Sequence, residues 1–280
     1  MNSALPSSIA CVILTKNEEQ NLPRCLASVG WCAEVVVVDS GSTDRTIEVA
    51  ASLGARVLVN RPVGIFNIAD QRNWALEQSC LAASWVIFLD ADEEVTPELR
   101  AAVERAIAVP EKFNCYELTP RYLFWGRWLK RTQGFPNWHA RLVRRGQVGF
   151  EGGVWEHFDA RARPGFIAEP YNHYANSKGL SDWLARHDRY STWDAEKIAA
   201  FLASGETAAL GTTRKVRLRR WAARLYPLRP FARFAHTYVL RFGFIEGFPA
   251  FVFCSLYFFY EWMTVVKVIE LRRQNRGESL

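Results

Sequence analysis

The run Trp85-Val86-Ile87-Phe88-Leu89-Asp90-Ala91-Asp92-Glu93-Glu94 constrains this chain more than any other. Five consecutive β-forming apolar residues predict a strand covered on both faces, as in the parallel sheets of α/β proteins. The strand ends on two aspartates one residue apart. In an extended backbone the side chains of residues i and i+2 lie on one side. Asp90 and Asp92 are therefore expected to face a common point beyond the strand's carboxyl end, the edge at which open α/β sheets bind ligands. Like charges held that close repel, and a divalent cation relieves them. Hard oxygen ligands suit Mg²⁺ or Mn²⁺, whose remaining positions take substrate phosphates. Taken alone, the triplet also fits a solvated acidic loop ahead of the helix expected from Thr96-Pro97-Glu98.

The residues before it favour the ligand reading. Ile9 to Thr15 is a further continuous apolar run, Glu34 to Asp39 predicts a second buried strand, and Ala55 to Val59 is a short third strand. Helical spacing follows each of the first two, through Leu22, Leu26 and Val29 and then through Ile47 and Leu53. Asn17 or Asn21 is the expected cap of the first helix, Ser42 or Thr43 of the second. Residues 71–80 predict a third helix. Strand alternating with helix implies an α/β fold with a mainly parallel central sheet. Polar groups close three successive strands: Thr15, Asn17 and Glu18; Asp39, Ser40 and Asp44; Asp90 and Asp92. One such cluster is ordinary turn chemistry, whereas three on one rim predict a binding site. The half contains neither the G-x-G-x-x-G of a dinucleotide site nor the G-x-x-x-x-G-K of a P-loop.

From about Val109 the texture changes. Cys115 to Pro120 and His139 to Arg145 predict strands, joined through the aromatic and basic segment Tyr122 to Trp128. Gly149 to His157 brings Glu151, Glu156 and His157 onto a glycine-rich backbone, and Lys178 to Ala203 is an amphipathic helix. The expected division is a domain of residues 1–203, with a donor half to about 108 and an acceptor half from 109, followed by a basic and aromatic helical tail, 204–280. Six scattered cysteines form no C-x-x-C pair, which fits reduced thiols in a cytosolic protein.

The net charge of +6 is concentrated in the tail: nine Lys or Arg and no acid lie between Thr207 and Ile245. The longest charge-free window beyond it, Gly247 to Tyr260, has 14 residues. A spanning helix needs roughly 20, so this window predicts a core or interfacial helix. Aromatic residues beside clustered arginines suit an anionic membrane surface. The dense apolar neighbour argues against nucleic acid as the partner of the basic run.

Taken together, Val12-Ile13-Leu14-Thr15-Lys16-Asn17-Glu18, Val37-Val38-Asp39-Ser40-Gly41-Ser42-Thr43-Asp44, Gln71-Arg72-Asn73 and Leu89-Asp90-Ala91-Asp92-Glu93 resemble the family 2 glycosyltransferases of GT-A fold. Arg141-Leu142-Val143-Arg144-Arg145, Glu151-Gly152-Gly153-Val154-Trp155-Glu156 and Gly243-Phe244-Ile245-Glu246-Gly247 are similar to a bacterial subgroup that includes the lipopolysaccharide-core β-1,4-glucosyltransferases. The chain departs from it with Val154-Trp155-Glu156-His157 where Val-His-Glu is usual, and with Pro136-Asn137-Trp138 for Pro-Asp-Tyr.

The resemblance implies an inverting transferase with a nucleotide-sugar donor, a UDP-hexose first. It also implies a lipid-linked or lipopolysaccharide-core acceptor and a peripheral place on the cytoplasmic face of the bacterial inner membrane. Thr15, Asn17 and Glu18 would line the nucleoside pocket, Asp39 would bind the base, Ser40, Asp44 and Arg72 would lie at the donor, and Asp90 and Asp92 would hold the ribose and the metal diphosphate. The acceptor hydroxyl needs a base within reach. Glu156 is the first choice and Glu151 the second, with an ion pair to Arg141, Arg144 or Arg145 as the competing role of Glu156. His157, or else His139, is a candidate further metal ligand. A sugar-nucleotide pyrophosphorylase shares the parallel sheet but opens with a glycine-rich loop that Thr15-Lys16-Asn17-Glu18 lacks. A non-catalytic membrane-tethered binding module is the remaining alternative.

Overall fold

The computed structural model describes residues 9–62, 67–79, 81–109, 112–152, 156–204 and 225–279. The chain divides into two compact units. The first comprises the chain up to Leu123 together with Phe135–Ser177, and the second Phe124–Gly134 together with everything from Lys178 onward.

The first unit opens with β1 (Ile9–Thr15), α1 (Leu22–Ser28), β2 (Glu34–Asp39), α2 (Thr46–Ser52), β3 (Arg56–Val59), α3 (Ile68–Gln78) and β4 (Trp85–Asp90). All seven residues of β1 are buried. The reason is two-sided packing, and alternate residues serve the two faces. Cys11, Ile13, Ile87 and Leu89 join Leu22 and Leu99 in one core cluster. Val12, Leu14, Val86 and Phe88 join Ala69, Ala75 and Phe150 in the other.

Strand β1 pairs in parallel with β2 on one side and β4 on the other, and β2 carries β3. The winding direction thus reverses between β1 and β4, which makes the crevice at their carboxyl ends the ligand position in sheets of this kind. Thr15 pairs with Asp39 and Leu14 with Asp90, so the three strand ends stand level.

After β5 (Glu93–Glu94) and α4 (Pro97–Ile107), the sheet continues through β6 (Cys115–Phe124), β8 (His139–Arg144) and β11 (Pro164–His173). Strand β8 is antiparallel to both β4 and β6, β11 is parallel to β6, and β5 closes the edge against β11. Short β9 (Phe150–Glu151) and β10 (His157–Phe158) form a separate antiparallel ribbon. The architecture is the expected GT-A-like one, a mainly parallel sheet extended by antiparallel strands.

Two expected caps differ. Asn21 holds the first N-cap position without a side-chain cap, its amide instead donating to Glu18 and accepting from Arg24. Asp44, not Ser42 or Thr43, accepts from the Thr46 amide at the start of α2. Thr96 caps α4 as anticipated, accepting from the Leu99 amide.

In the second unit, α5 (Gly179–Ser204) packs against the last helix, α7 (Phe248–Gln274), and α6 (Arg229–Phe234) packs there as well. Strand β7 (Arg127–Trp128) belongs to this unit too. The helix expected to close the first domain therefore clusters with the tail. Helix α7 also runs past Glu261, where the charge-free window ends. Glu261 is buried and neutralised by Arg229 at 3.0 Å and Arg233 at 2.7 Å, so its charge does not stop the helix. The basic run Arg214 to Arg224 and the linker ahead of it lie outside the described residues.

Candidate active site at the carboxyl ends of β1 and β4

Two loops lock together at the rim. Asn17, with φ of 56°, donates its amide to Ser42 Oγ at 2.8 Å and accepts from the Thr43 amide at 2.7 Å. The Glu18 amide donates to Thr46 Oγ1 at 2.8 Å, and the Glu19 amide to Asp44 Oδ2 at 3.2 Å. Asp39 accepts from the amides of Gly41 and Ser42, both at 2.8 Å, and from the Ser42 hydroxyl. Burial acts to raise the Asp44 carboxyl, but hydrogen bonds from Thr46 and Glu19 outweigh it and hold the group below its usual value. Ser40 accepts from Gln71 at 3.1 Å. The buried Thr15 hydroxyl has no hydrogen-bond partner among the described residues.

The sequence-derived donor residues therefore do share one rim. Asp39 and Asp44, however, use their oxygens to build it, so base recognition by Asp39 would have to compete with its own turn.

Beside this rim lies a cluster of buried charge. Arg72 from α3 is fully buried, donates to the Ala140 carbonyl at 2.7 Å, and lies 3.0 Å from Glu156 and 3.7 Å from Asp90. Arg141 from β8 reaches Asp90 at 3.0 Å, Glu93 at 2.7 Å and Glu156 at 3.7 Å. Glu93 also accepts from the Asp90 amide at 2.9 Å. Among the described residues three carboxyl groups, Asp90, Glu93 and Glu156, thus meet two guanidinium groups, and Asp92 lies close enough to act on Asp90. Burial, with Asp92 and Glu156, pushes the Asp90 carboxyl up to about 8. Burial, with Asp90 and Asp92, raises Glu93 well above the usual range. A divalent cation would displace the protons these carboxyls hold and relieve their mutual repulsion.

The backbone geometry of the aspartates differs from the extended one assumed for the sequence. Strand β4 ends at Asp90, and Ala91 and Asp92 form a turn into β5. The turn is tied by the Ala91 amide to Leu14 and by the Asp92 carbonyl to the Tyr174 amide. Asp90 and Asp92 still sense each other's charge.

The imidazole facing Asp92 is His173, 3.4 Å away at the end of β11. His157 lies instead on the β9–β10 ribbon, its ring beside the Phe158 carbonyl at 3.0 Å. His139 uses both ring nitrogens, on Asn137 at 3.0 Å and Tyr171 at 2.9 Å, and burial with nearby His173 pushes it down to about 4. Glu151 is exposed on β9 and lines a cavity of about 500 Å³ with Asn73, Arg145, Asp159 and Arg161. Glu156 does make the ion pair weighed against its role as base, with Arg141, and a shorter one with Arg72. Glu93 stood in the acidic run read from the sequence but without an assigned role, and His173 carried no local sequence signal. They meet through the β11–β5 pairing of His173 with Glu93, 80 positions apart in the chain.

Several known proteins are similar to this chain. An uncharacterised glycosyltransferase of Rickettsia conorii is 38% identical over 109 residues, 39% of this chain and 37% of that protein, so the chain spans little more than a third of that relative's length. The lipopolysaccharide core biosynthesis glycosyltransferase LpsC of Rhizobium meliloti is 27% identical over 68% of this chain and 71% of its own length. Among solved structures, S. aureus TarS matches 85% of this chain and 90% of its own with a TM-score of 0.42 at 14% identity. Glucosyl-3-phosphoglycerate synthase of Mycobacterium tuberculosis, in complex with Mn²⁺, uridine diphosphate and its glucosylated product, matches 64% of this chain and 75% of its own with a TM-score of 0.45 at 16% identity. Residues 10–162, more than half of the chain, match the family model for glycosyl transferase family 2, and the chain belongs to that family.

Proposed function

We propose that the protein transfers a sugar, with inversion, from a nucleoside diphosphate donor to a lipopolysaccharide-core or other lipid-linked saccharide, at the cytoplasmic face of a bacterial inner membrane. A UDP-hexose is the donor this reading favours. The observation that supports it is the crowding of Asp90, Asp92, Glu93 and Glu156 at the crevice between β1 and β4, where burial and mutual repulsion raise Asp90 and Glu93. The similarity to LpsC over two thirds of both chains supports the choice of acceptor.

The donor set fits Mg²⁺ or Mn²⁺. Asp92, with Asp90 behind it, offers hard oxygens, and His173 stands beside Asp92. Among the described residues no group of three or more His, Cys, Asp or Glu side chains could hold a metal ion by itself, so on this reading the cation would need diphosphate oxygens and water as further ligands. When bound, the cation would neutralise the charge developing on the leaving diphosphate.

The protein's own groups do the rest. Arg141 ties Asp90 and Glu93 into one buried unit and so fixes the end of β4. Thr15, Asn17, Glu18, Ser40 and Asp44 shape the nucleoside side of the rim. Arg72 and Arg141 orient Glu156 through Oε1, and its carboxylate takes the proton of the acceptor hydroxyl as that oxygen bonds to the anomeric carbon and the diphosphate leaves. A single displacement converts an α-linked donor into a β-linked product.

The test is kinetic. With Mn²⁺ and a panel of sugar nucleotides, one donor should be slowly hydrolysed without acceptor, and no donor should be formed from pyrophosphate. Glu156→Gln should lower kcat by about 10²–10⁴-fold with donor KM little changed. A normal kcat in that variant would remove Glu156 from the chemistry and leave Glu151 as the base to test.

A further inference from the structure

We propose that the outer face of α7, with the turn that precedes it, docks on an anionic lipid bilayer, and that α7 lies in the plane of the interface without crossing it. This deepens the reading above, which sets the reaction at a membrane, by naming the surface and its mode of attachment.

Helix α7 is built inside out. The face turned into its own unit carries Cys254, Tyr260, Glu261 and Thr264, all buried. The opposite face carries Phe248, Phe251, Phe259, Trp262, Val266 and Ile269, each between 39% and 68% exposed. Their positions follow helical spacing of three or four residues through Ser255, so they form one stripe along the helix. The turn ahead of α7 adds Val239, Leu240, Phe242, Phe244 and Ile245, also largely exposed. An apolar surface of this extent on a folded unit marks an interaction site.

The turn is held rigidly. Glu246 is buried and accepts from the amides of Arg131 at 2.6 Å and Thr132 at 3.0 Å, and from the Thr132 hydroxyl. At Gly243 a Cβ would stand 2.6 Å from the Thr237 carbonyl oxygen and 2.9 Å from Thr132 Oγ1, so only glycine fits. This clamp brings the exposed Trp125 ring to 6.4 Å from Phe248, on the same surface.

Charge selects the occupant. Glu246 and Glu261 are buried, and at or near the two ends of the stripe the basic Lys130, Arg131, Arg272 and Arg273 outnumber the exposed acids Glu270 and Glu278, the latter paired with Arg273. The segment Thr207 to Ile245 has nine Lys or Arg and no acid in sequence, and seven of them remain after Arg229 and Arg233 pair with Glu261. A surface both aromatic and basic complements an anionic leaflet, whereas a second copy would present the same positive charge.

Polar contacts on the inner face decide against a crossing. At 27 residues α7 is long enough to span. Yet Tyr260 donates to Asp194 at 2.6 Å and Lys267 reaches Asp188 at 2.7 Å, both on α5, and Glu261 sits between Arg229 and Arg233. Hydrocarbon on all sides would immerse these charged partners. Only the outer stripe can enter the apolar layer.

The experiment is sedimentation of the full chain with vesicles of phosphatidylcholine alone or mixed with phosphatidylglycerol. Binding should need the anionic lipid and weaken with salt. Phe251→Glu and Trp262→Glu should each lower partitioning about tenfold or more, and Leu53→Glu, at an exposed apolar position of the first unit, should not. Unchanged melting temperatures would show that the variants fold. Equal binding by wild type and both α7 variants would overturn the proposal. Retention in membranes through alkaline extraction would overturn it in favour of a spanning helix. Self-association that these variants abolish, without vesicle binding by the wild type, would overturn it in favour of a second copy. Sugar-nucleotide hydrolysis measured without vesicles reports on the transferase reading separately, since its failure would leave vesicle binding intact.

Discussion

Asp39 and Asp90 end strands β2 and β4, which flank β1 in the same sheet, yet their surroundings are opposite. Asp39 is met only by donors, the amides of Gly41 and Ser42 and the Ser42 hydroxyl. Asp90 is met by other carboxylates as well as by arginine. Asp39→Ala should therefore lower stability by about 1–3 kcal/mol in thermal or denaturant melts, because partly buried amides lose their acceptor. A neutral effect would mean that the turn is held elsewhere. A separate titration belongs to His187 in the second unit, stacked on Trp183 at 3.8 Å and pushed down to about 4, chiefly by burial. Its folded value lies below its ordinary one, so it contributes stability above pH ~6.5 that is lost as pH falls towards 4. Comparison of wild type with His187→Phe across that window should shift in the variant's favour as pH falls, and a constant difference would contradict this. At this scale the sequence was legible where a side chain ends a strand, as for Thr15, Asp39 and Asp90. It was not legible where the partner comes from a distant strand. Arg141 bridges Asp90 and Glu93, and His173 faces Asp92, only because β8 and β11 bring them there.

Elements dictated by two-sided burial were the most legible. Strands β1 and β2 begin and end where the apolar runs do, since every residue in those runs has a face to fill. Helix starts were harder to read because polar residues near them have other work. Ser42 serves Asp39 and Asn17, which leaves Asp44 to satisfy the first turn of α2. The link between β2 and α2 depends on Gly41, whose φ is +87° and whose Cβ position is only 3.2 Å from Arg61. Gly41→Ala should cost about 1–2 kcal/mol and, by loosening the partner loop at Asn17, raise donor KM more than it lowers kcat. An unaltered KM would detach this turn from donor binding. Helix α7 was underestimated in length because a charge in the sequence does not reveal its neutralising arginines.

For the molecule as a whole, the family membership and the α/β sheet agree with a single physical arrangement: a reversal of winding that opens a crevice, and carboxyl groups crowded there that oppose one another's ionisation. The division into units was not legible in composition, since α5 reads as an ordinary amphipathic helix and only its packing on α7 assigns it to the second unit. The central claim is that a divalent cation and a nucleoside diphosphate bind together at this crevice through Asp92. Calorimetric titration of UDP into the protein, with and without Mn²⁺, tests it most directly. The account predicts tight binding only when Mn²⁺ is present, and its loss in Asp92→Ala with the melting temperature preserved. Equal binding of UDP by the wild type and Asp92→Ala, whether or not Mn²⁺ is added, would contradict it.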